Sequence, residues 1–335
     1  MIYKAPKYTE NFKCIASDCR DSCCIGWEIY ADEEALKKYK NGSGTLYEDI
    51  RRSLSEDGCF RLTESGRCPH LLESGLCRII CEAGEDALCD ICHEHPRFYN
   101  YYGGICEWGV SLACESAARL ILESEDARSY TEEMREEDAD GEIDEALFSL
   151  LFTQREKMQE CILDNEITLE KKLFILEEHG KQLQNFIENS DISKHIFTFC
   201  DKSNEFGSFF TEERMEGYKQ ILLDLDPLSP SWKTRCEHLH APKMTREKEM
   251  MLSRILSYFI YRYFLTYAIE GDVTAPIGLA VFATAAIAAL CESEGRQTLF
   301  EIAEAAKDFS KEIEYSEENR DAVLDAFSAF SAEGF

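Results

Sequence analysis

Four cysteines stand within sixteen residues near the start of this chain, in "FKCIASDCRDSCCIGW" (residues 12–27). Of sixteen cysteines in 335 residues, twelve fall in the first 114 positions, and Cys161, Cys200, Cys236 and Cys291 are scattered beyond them. Thiols this dense form disulfides, hold a metal or do redox chemistry, and the compartment decides among these. The opening "MIYKAPKYTENFKC" has no apolar run long enough for a signal-peptide core, so the expected location is cytoplasmic. Thiols stay reduced there, and the cysteines read as metal ligands, with buried reduced thiols as the plainer alternative.

A formal charge of −29 excludes the basic footprint that nucleic-acid binding needs. Acid at this density steers basic protein substrates toward the surface, or merely keeps the chain soluble. The uncharged stretch "VTAPIGLAVFATAAIAALC" (273–291) mimics a membrane span, but it holds Pro276, Gly278 and seven alanines. The neighbouring apolar stretch is interrupted by Arg254 and Arg262, which are costly in lipid. A buried helix pair is expected here, and no membrane.

The turn signals "NGSG" (41–44), "SEDG" (55–58) and "YYGG" (101–104) crowd the cysteine-rich part. They leave few long periodic stretches for a hydrophobic core, so metal would supply cross-links. Twelve acids against two arginines between Glu123 and Glu145 mark a solvated connection or an exposed helix. Beyond it, Ile143, Leu147, Leu150, Leu151, Gln154, Met158 and Ile162 mark one helical face. Helices are also expected at Leu169–Ile187 with Thr168 as cap, Lys248–Ile269, Ile277–Cys291 and Thr298–Glu314, with "DLDPLSPSW" (224–232) breaking the pattern. The expected fold is mainly α: a cysteine-rich, turn-rich metal-binding region (1–122), an acidic connection (123–145) and a helical bundle (146–335).

Pairs two to four residues apart can point two sulfurs at one ion or cluster edge, in zinc and iron–sulfur sites alike. Cys14, Cys19, Cys23 and Cys24, then Cys68 and Cys77, then Cys89 and Cys92, then Cys114 supply such sets. Adjacent Cys23 and Cys24 rarely bind one iron together, so one ligates while the other packs, serves a second site or stays reactive. Cys89-Asp90-Ile91-Cys92-His93 matches a haem-attachment pattern that requires export. His93 and His95 either complete a zinc site or are ordinary turn histidines. No GxGxxG opens a strand–helix unit. The Cys-x3-Cys-x2-Cys spacing of many radical enzymes is also absent, since Gly26 and Gly84 stand where a third cysteine would be.

The segment "FKCIASDCRDSCCIGWEIYADEEALKKYK" resembles the opening of the flagellin lysine-N-methylase family. The similarity continues through "CPHLLESGLC" (68–77), "LCDICHEHPR" (88–97), "SLACESAARL" (111–120) and the aromatic "YFIYRYFLTYAIEGD" (258–272). The resemblance implies methylation of lysine ε-amines on flagellin or another lysine-bearing protein, with S-adenosylmethionine as donor and a [4Fe–4S] cluster. A looser similarity to zinc- or iron-chelating proteins keeps zinc, and a non-enzymatic interaction scaffold, as alternatives. The shared cysteines are the nine named above; Cys59, Cys81 and Cys106 lie outside the pattern, and His70, His93 and His95 depart from it. Nine exceed the four ligands of one cluster, so a second site exists or some are structural. From the matched segments Asp21, Arg97 and Glu115 are expected in catalysis and Trp27 and Arg97 in cofactor binding. Arg97 would pair with a cofactor carboxylate and Glu115 would accept the lysine proton. Tyr258 and Tyr261 are the fallback site.

Overall fold

Buried Tyr3 and Ala5 alternate with exposed Ile2 and half-buried Lys4 in the first strand, β1 (Ile2–Pro6), of this computed structural model. Residues 1–124, 128–137, 141, 143–199 and 207–330 are described; Cys200 and parts of the acidic segment 123–145 lie outside them. Two helices follow, α1 (Glu33–Asn41) and α2 (Thr45–Ser53), then the short α3 (Arg78–Ala83) and α4 (Asp90–Glu94). The turn signals fall between these elements. Gly44 enters α2 at φ 99°, a conformation open to glycine at little cost.

The sequence "YYGG" becomes the turn of a hairpin between β2 (Arg97–Tyr102) and β3 (Ile105–Val110). The sheet order is β2-β3-β1-β4, with β1 parallel to β3. Helix α5 (Glu115–Glu123) follows. The acidic segment, expected as a solvated connection or helix, supplies the edge strand β4 (Tyr130–Met134), antiparallel to β1. An edge strand tolerates outward acids because one of its margins meets water.

The remaining elements are α6 (Glu145–Ile162), α7 (Leu169–Asn189), α8 (Glu212–Asp224), α9 (Trp232–Cys236), α10 (Arg246–Ala268), α11 (Thr274–Ser293), α12 (Leu299–Glu314) and α13 (Glu317–Ala326). The chain is mainly helical, as expected, with this one small sheet among the described residues. Thr168 is the N-cap position of α7 but accepts no side-chain capping bond, whereas Thr298 and Glu301 form a reciprocal capping box on α12. Helix α11 has the length and apolarity to cross a membrane, yet 94% of that stretch is buried within the helical core.

Two hydrophobic cores result. The larger joins β2, β3 and α5 to the helices from α6 onward. Bidentate pairing of Arg155 with Glu107 (2.5 and 2.7 Å), both fully buried, ties β3 to α6. The smaller core holds Ile29, Tyr39, Ile50, Phe60, Ile79 and Cys89 among its ten buried residues. Short amphipathic α1 and α2 build it, so the turn-rich region has an apolar centre made without long periodic stretches.

Candidate functional site: a divided array of thiols

Backbone contacts between distant segments decide where the cysteines sit. The Ser116 hydroxyl donates to the Lys13 carbonyl (2.7 Å), and the Arg20 N–H donates to Glu115 Oε2 (2.9 Å). These bonds lay the 12–27 loop against the start of α5, beside Cys114. On the loop's other side the Cys68 N–H donates to the Cys24 carbonyl (2.8 Å), and Leu71 bridges to Cys77. Cys89 and Cys92 flank the first turn of α4, and the Asp90 N–H donates to Asp32 Oδ2 (2.8 Å).

The nine expected cysteines fall into two neighbourhoods. Cys23 lies close to Cys14 and Cys114, and Cys114 to Cys14 and Cys19. Cys68 lies close to Cys24, Cys77 and Cys89, and Cys92 to Cys24, Cys68 and Cys89. Cys23 and Cys24, adjacent in the chain, meet at the seam, where their thiols perturb each other's titration.

Burial pushes most of these thiols up, Cys114 to about 11 and Cys68 to about 12. Cys24 moves the other way, below the ordinary thiol range, because the neighbouring Cys23 thiol, Ser22 and the Arg67 cation favour its thiolate against burial. The Cys92 hydrogen bond likewise lowers Cys89. The described cysteines are free thiols. Their donor chemistry suits zinc or an iron–sulfur cluster, because thiolates crowded together need a cation to relieve their repulsion. Among the described residues, however, no three His, Cys, Asp or Glu side chains converge closely enough to hold an ion as they stand.

The four expected polar residues gather around the first neighbourhood. Glu115 is 3% exposed, accepts from the Arg20 amide, lies 3.7 Å from the Cys19 thiol and pairs with Arg119. Asp21 reaches Lys307 and Lys311 of α12, each at 2.9 Å. Burial pushes the Asp21 carboxyl up, but the hydrogen bonds and charges of the two lysines outweigh it and hold it below the ordinary range. Trp27 Nε1 donates to the Cys23 carbonyl (2.6 Å), and the ring stacks on Tyr315 at 5.2 Å. Arg97 lies over Phe12, 5.7 Å from its ring centre and two positions from Cys14, and makes no ion pair among the described residues.

Several partners were not legible in the sequence. His95 packs against both Trp27 and Tyr315, and burial pulls it down to about 4, so it is neutral at pH 7. Arg20 and Arg119 both lie over the Phe300 ring, 3.8 and 4.1 Å from its centre, and Arg20 also reaches Glu304 at 3.0 Å. Tyr315, Lys307 and Phe300 carry no local motif; only the docking of α12 brings them in. Exposed His93 pairs with Glu94 (2.8 Å), while buried His70 meets Ser53 (2.9 Å). Tyr258 and Tyr261 line a separate cavity with Tyr8 and Tyr130. Their hydroxyls are engaged, Tyr258 with Glu314 (2.8 Å) and Tyr261 with the Lys4 and Trp108 carbonyls (3.2 Å each).

Over 136 residues, 38% of the chain, the sequence is 33% identical to the lysine-N-methylases of Salmonella choleraesuis and Salmonella typhimurium. It is 32% identical over the same length to the flagellar biosynthetic protein FliU of Salmonella muenchen. The match covers 34% of each methylase, about a third of its length, and 80% of FliU. No family model and no solved structure matches the chain.

Proposed function

The chain belongs to the flagellin lysine-N-methylase family, and from that premise we propose that it transfers a methyl group from S-adenosylmethionine to the ε-amine of a lysine on flagellin. The observation that carries the reading is the gathering of Asp21, Trp27, Arg97 and Glu115 around Cys14, Cys19, Cys23 and Cys114.

A [4Fe–4S] cluster held by thiolates there would supply redox chemistry and Lewis acidity, and zinc would supply Lewis acidity alone. Arg97, which makes no ion pair among the described residues, offers its planar fork to the cofactor carboxylate. The partly exposed Trp27 ring, backed by Tyr315, offers a π face to the sulfonium. Glu115 and Asp21 are both occupied by cations, so they act by holding the loop in place rather than by taking the lysine proton. Desolvation beside the Trp27, His95 and Tyr315 rings favours the neutral amine. In a polar transfer the N–C bond forms as the S–C bond breaks, the sulfide leaves with the electron pair, and the proton passes to solvent. A one-electron route would differ in requiring a reductant.

The test is anaerobic purification, measurement of iron, sulfide and zinc, then incubation with S-adenosylmethionine and flagellin and weighing of the product. A methyl gain on lysine is expected. Arg97→Ala should slow it about tenfold, the worth of one charge-assisted hydrogen bond, while metal content and visible absorbance stay at wild-type values. Full activity in Arg97→Ala would move the cofactor site. The second reading, a non-catalytic metal-holding interaction module, is favoured by the ion pairing of Asp21 and Glu115; unmethylated flagellin in the complete assay would establish it.

A further inference from the structure

We infer that His95 is the group that receives the target amine: a ring nitrogen accepts an N–H of the lysine side chain, whose aliphatic stem lies beside the Trp27–Tyr315 stack. This rests on the proposed methyl transfer and names the residue that holds the nitrogen to be methylated. Three rings make the wall. Trp27 stacks on Tyr315 at 5.2 Å, and His95 meets Trp27 at 5.8 Å and Tyr315 at 6.3 Å. Their apolar surfaces suit the methylene stem of a lysine, whose polar end needs a separate partner. The backbone pins His95 on both sides. Its N–H donates to the Ile91 carbonyl at the end of α4 (3.3 Å), and the Pro96 carbonyl accepts from the Ser111 N–H (2.8 Å).

The choice of His95 follows by elimination. A carboxylate stands next in the chain to each of the three rings, and each is engaged. Glu28, beside Trp27, accepts from Tyr30 (3.2 Å). Glu94, beside His95, accepts from Tyr99 (2.6 Å) and pairs with His93 (2.8 Å). Glu314, beside Tyr315, accepts from Tyr258 (2.8 Å), Ser310 (3.0 Å) and Arg262. Asp21 and Glu115 hold their own cations. The half-buried His95 ring makes no hydrogen bond or ion pair among the described residues. Burial, with the Lys311 cation adding to it, pulls the ring down to about 4, and a neutral imidazole presents one bare nitrogen. Such a ring cannot keep a proton taken from an ammonium that releases it at about 10.4. His95 therefore holds one N–H and aims the lone pair of the amine, and the departing proton goes to solvent. A trimethylated nitrogen has no N–H and is no longer held.

The test uses the full chain and two small probes: n-butylamine, which carries N–H bonds, and butyltrimethylammonium, which carries none. In titration calorimetry at pH 7 the wild type should favour n-butylamine about tenfold, the worth of one charge-assisted hydrogen bond. His95→Phe keeps a ring in the wall and should lose that preference. His95→Gln supplies an amide oxygen and should regain part of it. In flagellin methylation, His95→Phe should lower kcat about tenfold with little change in KM, and His95→Gln should recover part of the rate. Wild-type preference or full kcat in His95→Phe would overturn the inference and leave methyl transfer standing. So would a wild type that binds both probes alike. A wild type that transfers no methyl yet shows a preference lost in His95→Phe would overturn the transferase reading and leave His95 as an amine-binding residue.

Discussion

Asp21 shows how one side chain can join the two ends of this chain. It lies on the cysteine loop, and its partners Lys307 and Lys311 lie on α12; the Lys307 side chain is only 6% exposed. Asp21→Asn would leave that ammonium with the more distant Asp308 at 3.5 Å. The expected cost is about 2 kcal/mol, between a surface pair and a broken buried pair. The pH dependence follows from the directions of the shifts. Asp21 is held low by the lysines against burial, so its contribution is present above the ordinary carboxylate value, about 3.9, and fades as the pH falls through the folded value. Lys307 is raised by Asp21 against burial, so its share is present below about 10.4 and fades as the pH climbs past that. Urea melts of wild type and Asp21→Asn should therefore differ by a constant amount from pH 5 to 8 and converge in acid. Equal stability at pH 7 would show that the pair holds nothing together.

At the scale of elements, the close approach of α11 to the end of α13 can be tested at a single glycine. Replacing a helical glycine with alanine ordinarily stabilises by about 1 kcal/mol. At Gly278 an added Cβ would meet Phe327 Cβ at 2.2 Å, an overlap that a ring rotation cannot relieve because the Cβ is fixed to the backbone. The sign should reverse, with Gly278→Ala destabilising by about 1–3 kcal/mol as α13 is pushed away. Thermal melts check the sign, and a more stable variant would mean that α13 is free to shift. The apolar face of α6 and the spans of α7, α10 and α12 were legible from local spacing. The strands were not. β1 finds β3 about a hundred residues later, and no pattern within five residues specifies so distant a partner.

For the whole molecule, the two cores predict unequal responses to metal loss. The smaller core has ten buried residues, whereas the larger runs from the sheet through to α13. If metal is held as proposed, its apparent binding energy, on the order of 10 kcal/mol, rivals the stability of an entire domain. Chelation or oxidation should then speed amide hydrogen exchange across residues 14–95 and leave β1, β3, α10 and α11 protected. Exchange that quickens equally in both cores would show that they melt as one unit.

What the sequence determined by itself was local: helical periodicity, caps, turns, and a cysteine spacing specific enough to mark the family. These are legible because each depends on a few neighbouring residues repeating every 3.6 positions or fixing a turn. The tertiary structure alone decided that Cys23 and Cys24 face different neighbours, that Asp21 and Glu115 are occupied by cations, and that His95 and Tyr315 complete the aromatic wall around Trp27. Those outcomes come from docking α5 and α12 against a loop nearly three hundred residues from the latter. Many weak contacts set that docking together, and no single residue announces it.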